Sequence, residues 1–165
     1  MVRSPMRHLF VDIAPPSGTG RTLPRREFLR LVALAAGGAA VAGAFPGRRV
    51  FADTPERVFP DGIKWGDPHP TTGVLWTRLA PPTGGQPAQV LWSVAEDAAM
   101  EHIVRGGVAT TDATRAYTLT VPVRGLEPDR WYHYRFESGG TPSVTGRLRT
   151  APAPGAPPDR VGYAF

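Results

Sequence analysis

The ten residues Gly125-Leu126-Glu127-Pro128-Asp129-Arg130-Trp131-Tyr132-His133-Tyr134 run out of a turn and into a strand. Gly125, Pro128 and Asp129 are turn formers. Beyond them Tyr132, Tyr134 and Phe136 fall on one face, with His133, Arg135 and Glu137 on the other. A side-chain period of two marks a strand with one face buried. The pattern repeats in both directions. Val74, Trp76 and Arg78 alternate with Leu75, Thr77 and Leu79; Val90, Trp92 and Val94 alternate with Leu91 and Ser93; Tyr117, Leu119, Val121 and Val123 share a face. Weaker strands are expected around Gly62–Trp65, Arg105–Thr110 and Ser143–Thr150. Only Glu96 to Val104 offers room for a helical turn, with Glu96 and Asp97 suited to its N-terminus. Six or seven short strands over roughly 95 residues, bounded by Gly, Pro and Asp turns, predict an all-β antiparallel sandwich.

The corner at residues 125–134 resembles the fibronectin type III segment in which a Leu, a Pro and a Tyr-x-Tyr pair bracket a crossing between sheets. The resemblance implies a fibronectin type III/immunoglobulin-like sandwich over residues 53–150. It also implies that Leu126 and Pro128 shape the corner, that Tyr132 and Tyr134 face the core, and that the Tyr132 hydroxyl is hydrogen-bonded back to the preceding loop.

Charge divides the chain. Residues 1–52 hold eight arginines against Asp12 and Glu27, whereas the remainder holds eleven basic and twelve acidic groups. The net charge of +5 therefore belongs to the front, and the body has no basic patch to offer a nucleic acid. That front reads as an export signal over residues 1–52. Arg25 and Arg26 are followed by Phe28 and Leu29, then by an uncharged run of 15 residues from Leu31 to Phe45. The run is too short to span a bilayer, which takes about 20 residues. With Gly37, Gly38 and Gly43 inside it, it is also too weakly apolar for a stable membrane anchor. The motif resembles a twin-arginine signal, with Pro24 and Arg30 departing from the usual residues, and implies the twin-arginine translocation machinery as a partner. Cleavage is expected after Ala52, with Ala42-Gly43-Ala44 the competing site. The segment is thus a helical leader, cleavable or disordered. The other reading of the same residues is an amphipathic helix packed on the domain. The chain contains no cysteine, which excludes disulfides, thiolate metal sites and a cysteine nucleophile.

At the other end, residues 151–160 form a stiff Pro-rich linker, and Val161-Gly162-Tyr163-Ala164-Phe165 looks like a lone strand after it. A strand without partners points to a further domain, of which 161–165 would be the first strand. Taken in order, the features resemble the front of the PhoD-like alkaline phosphatase and phospholipase D family. The carriers are the twin-arginine signal, Trp65-Gly66-Asp67-Pro68, Val74-Leu75-Trp76-Thr77-Arg78-Leu79, the corner at 125–134 and Arg147-Leu148-Arg149-Thr150-Ala151-Pro152. The resemblance implies an exported phosphoric ester hydrolase whose catalysis resides in a downstream metallophosphoesterase domain using calcium and iron. It further implies an N-terminal sandwich that packs on that domain, is itself without cofactor or catalytic residues, and acts in the periplasm, the cell wall or outside the cell.

The residues of this chain agree with an inactive module. Asp67-Pro68-His69 has the Asp-x-His spacing of a metal-ligating strand end, but Gly66, Pro68 and Pro70 make it a turn in which Asp67 caps backbone N–H groups. The companion Gly-Asn-His and Gly-His-x-His strings are absent from the sequence. His8 lies in the leader, His102 beside Glu101 on what would be a different helix face, and His133 on the outward side of its strand. No Gly-x-Ser-x-Gly elbow accompanies Ser93, Ser138 or Ser143, and Gly106-Gly107 and Gly139-Gly140 read as turns. Of the four tryptophans, Trp131 alternates with core tyrosines and should be exposed. The alternative function is a stand-alone secreted sandwich for binding or adhesion.

Overall fold

β-Branched and aromatic residues alternating with polar ones assemble here into two antiparallel sheets. The computed structural model describes residues 10–14, 22–35 and 54–156. The strands are β1 (Phe10–Ile13), β2 (Leu23–Pro24), β3 (Ile63–Gly66), β4 (Thr72–Arg78), β5 (Ala88–Ala95), β6 (His102–Thr111), β7 (Thr118–Arg124), β8 (Trp131–Ser138), β9 (Thr141–Pro142) and β10 (Gly146–Arg149). Helix α1 covers Arg25–Ala35 and the single turn α2 covers Pro55–Val58. The large sheet runs β1-β6-β5-β8-β10, with β2 on β6 and β9 on β8, and the small sheet runs β3-β4-β7.

The core lies between the sheets. Leu75 and Leu79 with Leu119, Val121 and Val123 face Val90, Trp92, Val94, Tyr132, Tyr134, Phe136 and Leu148. Removing this apolar surface from water is the main force holding the two layers together. Pro122 interrupts β7 without harm, because β7 pairs only with β4 and its outer edge needs no N–H donor. Arg105 ties the layers at one end: its guanidinium donates to the Arg124 carbonyl at 2.8 Å and the Gly125 carbonyl at 2.7 Å. The all-β sandwich is therefore as expected, and the weaker strands fall close to their expected places.

One expectation is corrected. The stretch from Glu96 contains no helix. Asp97 does cap backbone N–H groups, those of Glu101 (3.1 Å) and His102 (2.9 Å), but the result is a closed loop from which β6 starts at once. β-Branched Ile103 and Val104 both find buried positions by extending, Ile103 on the outer face and Val104 in the sandwich core, which a helical turn would not give them. Buried Met100 takes the left-handed conformation, φ 61°, to let the loop close.

The Asp97 carboxylate also faces His102 Nδ1 at 3.1 Å. Burial pushes its pKa up, but the two N–H donors and the imidazole together hold it below the ordinary 3.8. A carboxyl with a depressed folded pKa stabilises the fold above its unfolded value and loses that contribution as the pH falls through the folded one. Asp97→Asn should therefore cost about 1 kcal/mol near neutrality. The difference from the parent should persist down to pH 3.8 and fade only below it, as the pH falls through the depressed folded pKa. Urea titrations at neutral and acid pH check this; a difference that grows on acidification would contradict it.

The front of the chain packs on the sandwich. The paired arginines do begin a helix, but the segment is not set apart from the sandwich. β1 pairs with β6 (Val11↔Val108, Asp12↔Gly107), β2 pairs Leu23 with Ile103, and α1 lies on the outer face of the large sheet. Phe28 and Val32, four residues apart and so on one face of the helix, close a second apolar cluster with Ile13, Leu23, Ala95, Met100, Ile103 and Val108. The helix is amphipathic and docked through these residues. Burial of those two side chains supplies its physical reason. The expected cleavage after Ala52, the competing site at 42–44, the end of the linker and the strand at 161–165 lie outside the described residues.

Candidate functional site

One end of the sandwich gathers most of the motif residues. Gly66 ends β3, and the β3–β4 loop that follows holds Asp67 and Pro68; it is closed by the His69 N–H donating to the Thr72 carbonyl at 2.8 Å. Against it sits the β7–β8 corner, where the Leu126 N–H donates to the Thr71 carbonyl at 3.0 Å. The chain leaving β10 then passes between them. Ala151 donates to the His69 carbonyl at 3.2 Å and its own carbonyl accepts from the Asp129 N–H at 3.0 Å. Three pieces far apart in sequence are thus stitched together by backbone at the root of the linker.

Within the corner the Tyr132 hydroxyl accepts from the Glu127 N–H at 3.0 Å, the back-bond that the sequence implies. Leu126, Tyr132 and Tyr134 are buried, and burial pushes the Tyr134 phenol up. Thr150 is the hub. Its Oγ1 accepts from the Arg130 N–H at 2.9 Å and donates to the Glu127 carbonyl at 2.6 Å. The Arg130 guanidinium bridges Glu127 and Glu96, the latter at 2.7 Å. On the outer face Trp131 is 48% exposed, as expected, with the Arg147 guanidinium stacked 4.3 Å above its ring and Arg149 at 5.6 Å. Arg149 in turn holds Asp129 at 2.6 Å.

Residues of the β4 motif act elsewhere. The Thr77 hydroxyl is buried and donates to the Gly62 carbonyl at 2.9 Å. Trp76 faces outward beneath the Lys64 ammonium at 5.3 Å. Arg78 pairs with Asp61 and, mainly through that hydrogen bond, holds the Asp61 carboxyl below its usual range. Arg25, Arg26, Phe28 and Leu29 belong to α1, which lies on the outer face of the large sheet.

The Asp67-Pro68-His69 turn is confirmed as a turn, with Asp67 at φ 50°, but its carboxylate faces the His69 Nε2 at 3.3 Å instead of capping backbone. Both side chains stand in solvent, 61% and 74% exposed for His69 and Asp67. A calcium ion takes six to eight oxygens and an iron site several His or carboxylate ligands; two mutually paired, solvent-exposed groups do not fit either. Among the described residues no three His, Cys, Asp or Glu side chains gather where a metal could be held. A hollow of about 210 Å³ beside α2 is lined by Phe59, Ile63, Val144 and Ser143. Its one hydroxyl is occupied, since Ser143 Oγ accepts from the Phe136 N–H and donates to the Val144 carbonyl. The described residues include no helix long and apolar enough to cross a membrane.

Sequence reasoning missed the Thr150 hub and the Glu96–Arg130–Glu127 bridge. The signal for the hub was present in Arg147-Leu148-Arg149-Thr150, whose alternation places Leu148 and Thr150 inward. The bridge spans 34 residues and has no local signature.

Residues 45–152 match the family model described as the PhoD-like phosphatase, N-terminal domain. Alkaline phosphatase D of Bacillus subtilis (strain 168) is 42% identical over 110 residues, covering 63% of this chain and 19% of that protein. A solved structure titled "Structure of PhoD" superimposes with a TM-score of 0.59 at 36% identity, covering 67% of this chain and 22% of the other. The chain thus spans about a fifth of the length of the relatives it matches.

Proposed function

The chain belongs to the PhoD-like phosphatase N-terminal domain family, and from that premise we propose that it is the non-catalytic front portion of an exported phosphoesterase. Its sandwich, of fibronectin type III kind, packs on a downstream metal-dependent domain and holds that domain in place. The observation that carries this reading is the convergence of the Gly66-Asp67-Pro68 loop, the Leu126–Tyr134 corner and the Arg147–Pro152 exit on the root of the linker. Residues that define the family domain are spent on fixing where the chain leaves it, which is what a supporting domain needs. The three-plus-four order of β3-β4-β7 and β6-β5-β8-β10 and the Tyr132 back-bond support the fibronectin comparison.

Substrate turnover, on phosphate mono- or diesters, belongs to the downstream domain, as does any calcium or iron. Among the described residues no ligand set fits them, and the reaction's steps fall to the downstream domain. The Arg25-Arg26-Glu27-Phe28-Leu29 motif supports passage through the twin-arginine machinery, with removal of the leader after Ala52.

The test is an assay of the purified chain with added calcium and iron against p-nitrophenyl phosphate and its bis-ester. No hydrolysis above the blank is expected, whereas the reading frame continued past Phe165 should encode Asp-x-His and Gly-Asn-His ligands and hydrolyse at least one of the two. Robust turnover by the short chain would sink the proposal.

A further inference from the structure

The segment read as an export leader is gripped by the domain it would export. We propose that this grip buries the recognition residue Phe28 and pins the backbone that carries Arg25, Arg26 and Leu29, so that the translocation receptor reads the complete motif only after the contact opens. The inference rests on the export reading above and adds a gate to it.

Three kinds of contact hold the segment. Backbone pairing comes first: Leu23 and Pro24 add a short strand to β6 opposite Ile103 and His102, and the Arg25 N–H donates to the Glu101 carbonyl at 3.1 Å. Next comes a shaped apolar seat. Phe28 and Val32 are each 1% exposed, packed with Ala95, Ile103 and Val108 on the outer face of β5 and β6. The ring of Phe28 lies so close to the strand that a Cβ on Gly106 would stand 2.3 Å from its Cζ; only glycine admits it. At the neighbouring position a Cβ on Gly107 would stand 1.7 Å from the Val11 carbonyl oxygen, so β1 depends on a glycine as well. Finally there is charge: the Arg25 guanidinium stands 3.6 Å from the carboxylate of Glu137, a largely buried group on β8.

The seat lies within residues 45–152, the part matched to the family, while the held segment precedes it. The match therefore marks off the domain from the segment, and the contact joins the two. A receptor that must touch the Phe28 ring cannot do so while that ring is against Gly106. Arg25 is engaged through both its N–H and its side chain. Opening exposes the Phe28 ring and its seat together.

The absence of native cysteine makes the test direct. In the intact chain, Val32→Cys should react with a thiol reagent about tenfold or more slowly than Leu34→Cys, whose site on the same helix is 78% exposed. Adding Leu23→Asp, which sets a charge on the held segment against the seat and leaves residues 25–29 untouched, should bring position 32 up to the rate at position 34. It should also raise cross-linking of the chain to the twin-arginine receptor several-fold. Glu137→Gln, which keeps the shape and removes the ion pair, should do both to a smaller degree and guards against a folding defect in the first variant. Equal rates at positions 32 and 34 in the otherwise unchanged chain would overturn the grip. Slow labelling at 32 with receptor cross-linking unmoved by either releasing variant would overturn the gate. The export reading fails separately, if Arg25→Lys with Arg26→Lys leaves cross-linking unchanged.

Discussion

Trp92→Ala is expected to remove about 3–5 kcal/mol of stability. Trp92 is fully buried in β5, the strand that lies between β6 and β8 in the large sheet. Across the ladder it stands opposite Gly107 on one side and Phe136 on the other, and its indole fills the space that the glycine leaves. Truncation removes the transfer energy of the largest fully buried side chain and opens a cavity that paired strands on both sides cannot collapse into. A domain of this size has only about 5–15 kcal/mol in hand, so the variant should unfold at a far lower urea concentration. Trp92→Phe, which keeps an aromatic plane there, should recover more than half of the loss. A change below about 1 kcal/mol for the alanine variant would mean that the indole is not where the core is tightest.

The sandwich was legible because its strands obey one local rule. Leu119, Val121 and Val123, or Tyr132, Tyr134 and Phe136, face one way by the pleat alone, and no distant residue is needed to say which side is buried. The corner was legible for a further reason. Leu126, Pro128 and Tyr132 act within a few residues of one another, so their spacing carries the geometry of the Tyr132–Glu127 hydrogen bond. The loop at Asp97 was not legible as a loop. A carboxylate that caps N–H groups looks the same in sequence whether a helix or a strand follows, and the decision came from Ile103 and Val104 finding partners on two different layers. The docked front was harder still. Phe28 and Val32 show the spacing of an amphipathic helix, but the sequence does not show that Gly106 lies opposite them; that pairing depends on β6 already being in its sheet.

The same limit explains the candidate site. Each family motif was visible as a string, and none of the strings announces that Gly66–Pro68, Leu126–Arg130 and Thr150–Ala151 meet. Their meeting is made by backbone hydrogen bonds such as Ala151 to His69, for which any residue type would serve. What can be read locally in the Asp67-Pro68-His69 string is a turn. What cannot is that the carboxylate prefers the neighbouring imidazole to the backbone.

Thr150→Val is the sharper test of that junction and should cost about 2–3 kcal/mol although it changes the side-chain volume very little. The Thr150 hydroxyl is buried and serves two backbone groups from the corner, the Arg130 N–H and the Glu127 carbonyl, while its own N–H donates to the Arg130 carbonyl at 3.1 Å. A valine methyl takes the hydroxyl away from both at a side chain that is itself buried, and removing one partner of a made hydrogen bond costs more than the bond contributed. Glu127 is also the residue whose N–H donates to the Tyr132 hydroxyl, so loosening its carbonyl loosens the corner at both ends of one peptide unit. The expected signature is local: amide exchange should accelerate at Arg130 and at Asp129, whose N–H is bonded to Ala151, with Val121 and Val94 in the sheets affected only by the global loss. Thr150→Ser, which retains the hydroxyl, should leave both amides protected. If valine is tolerated within about 0.5 kcal/mol and Asp129 stays protected, the linker root is held by something other than this hydroxyl. The sandwich would then fix its exit, and any domain beyond it, by backbone pairing alone.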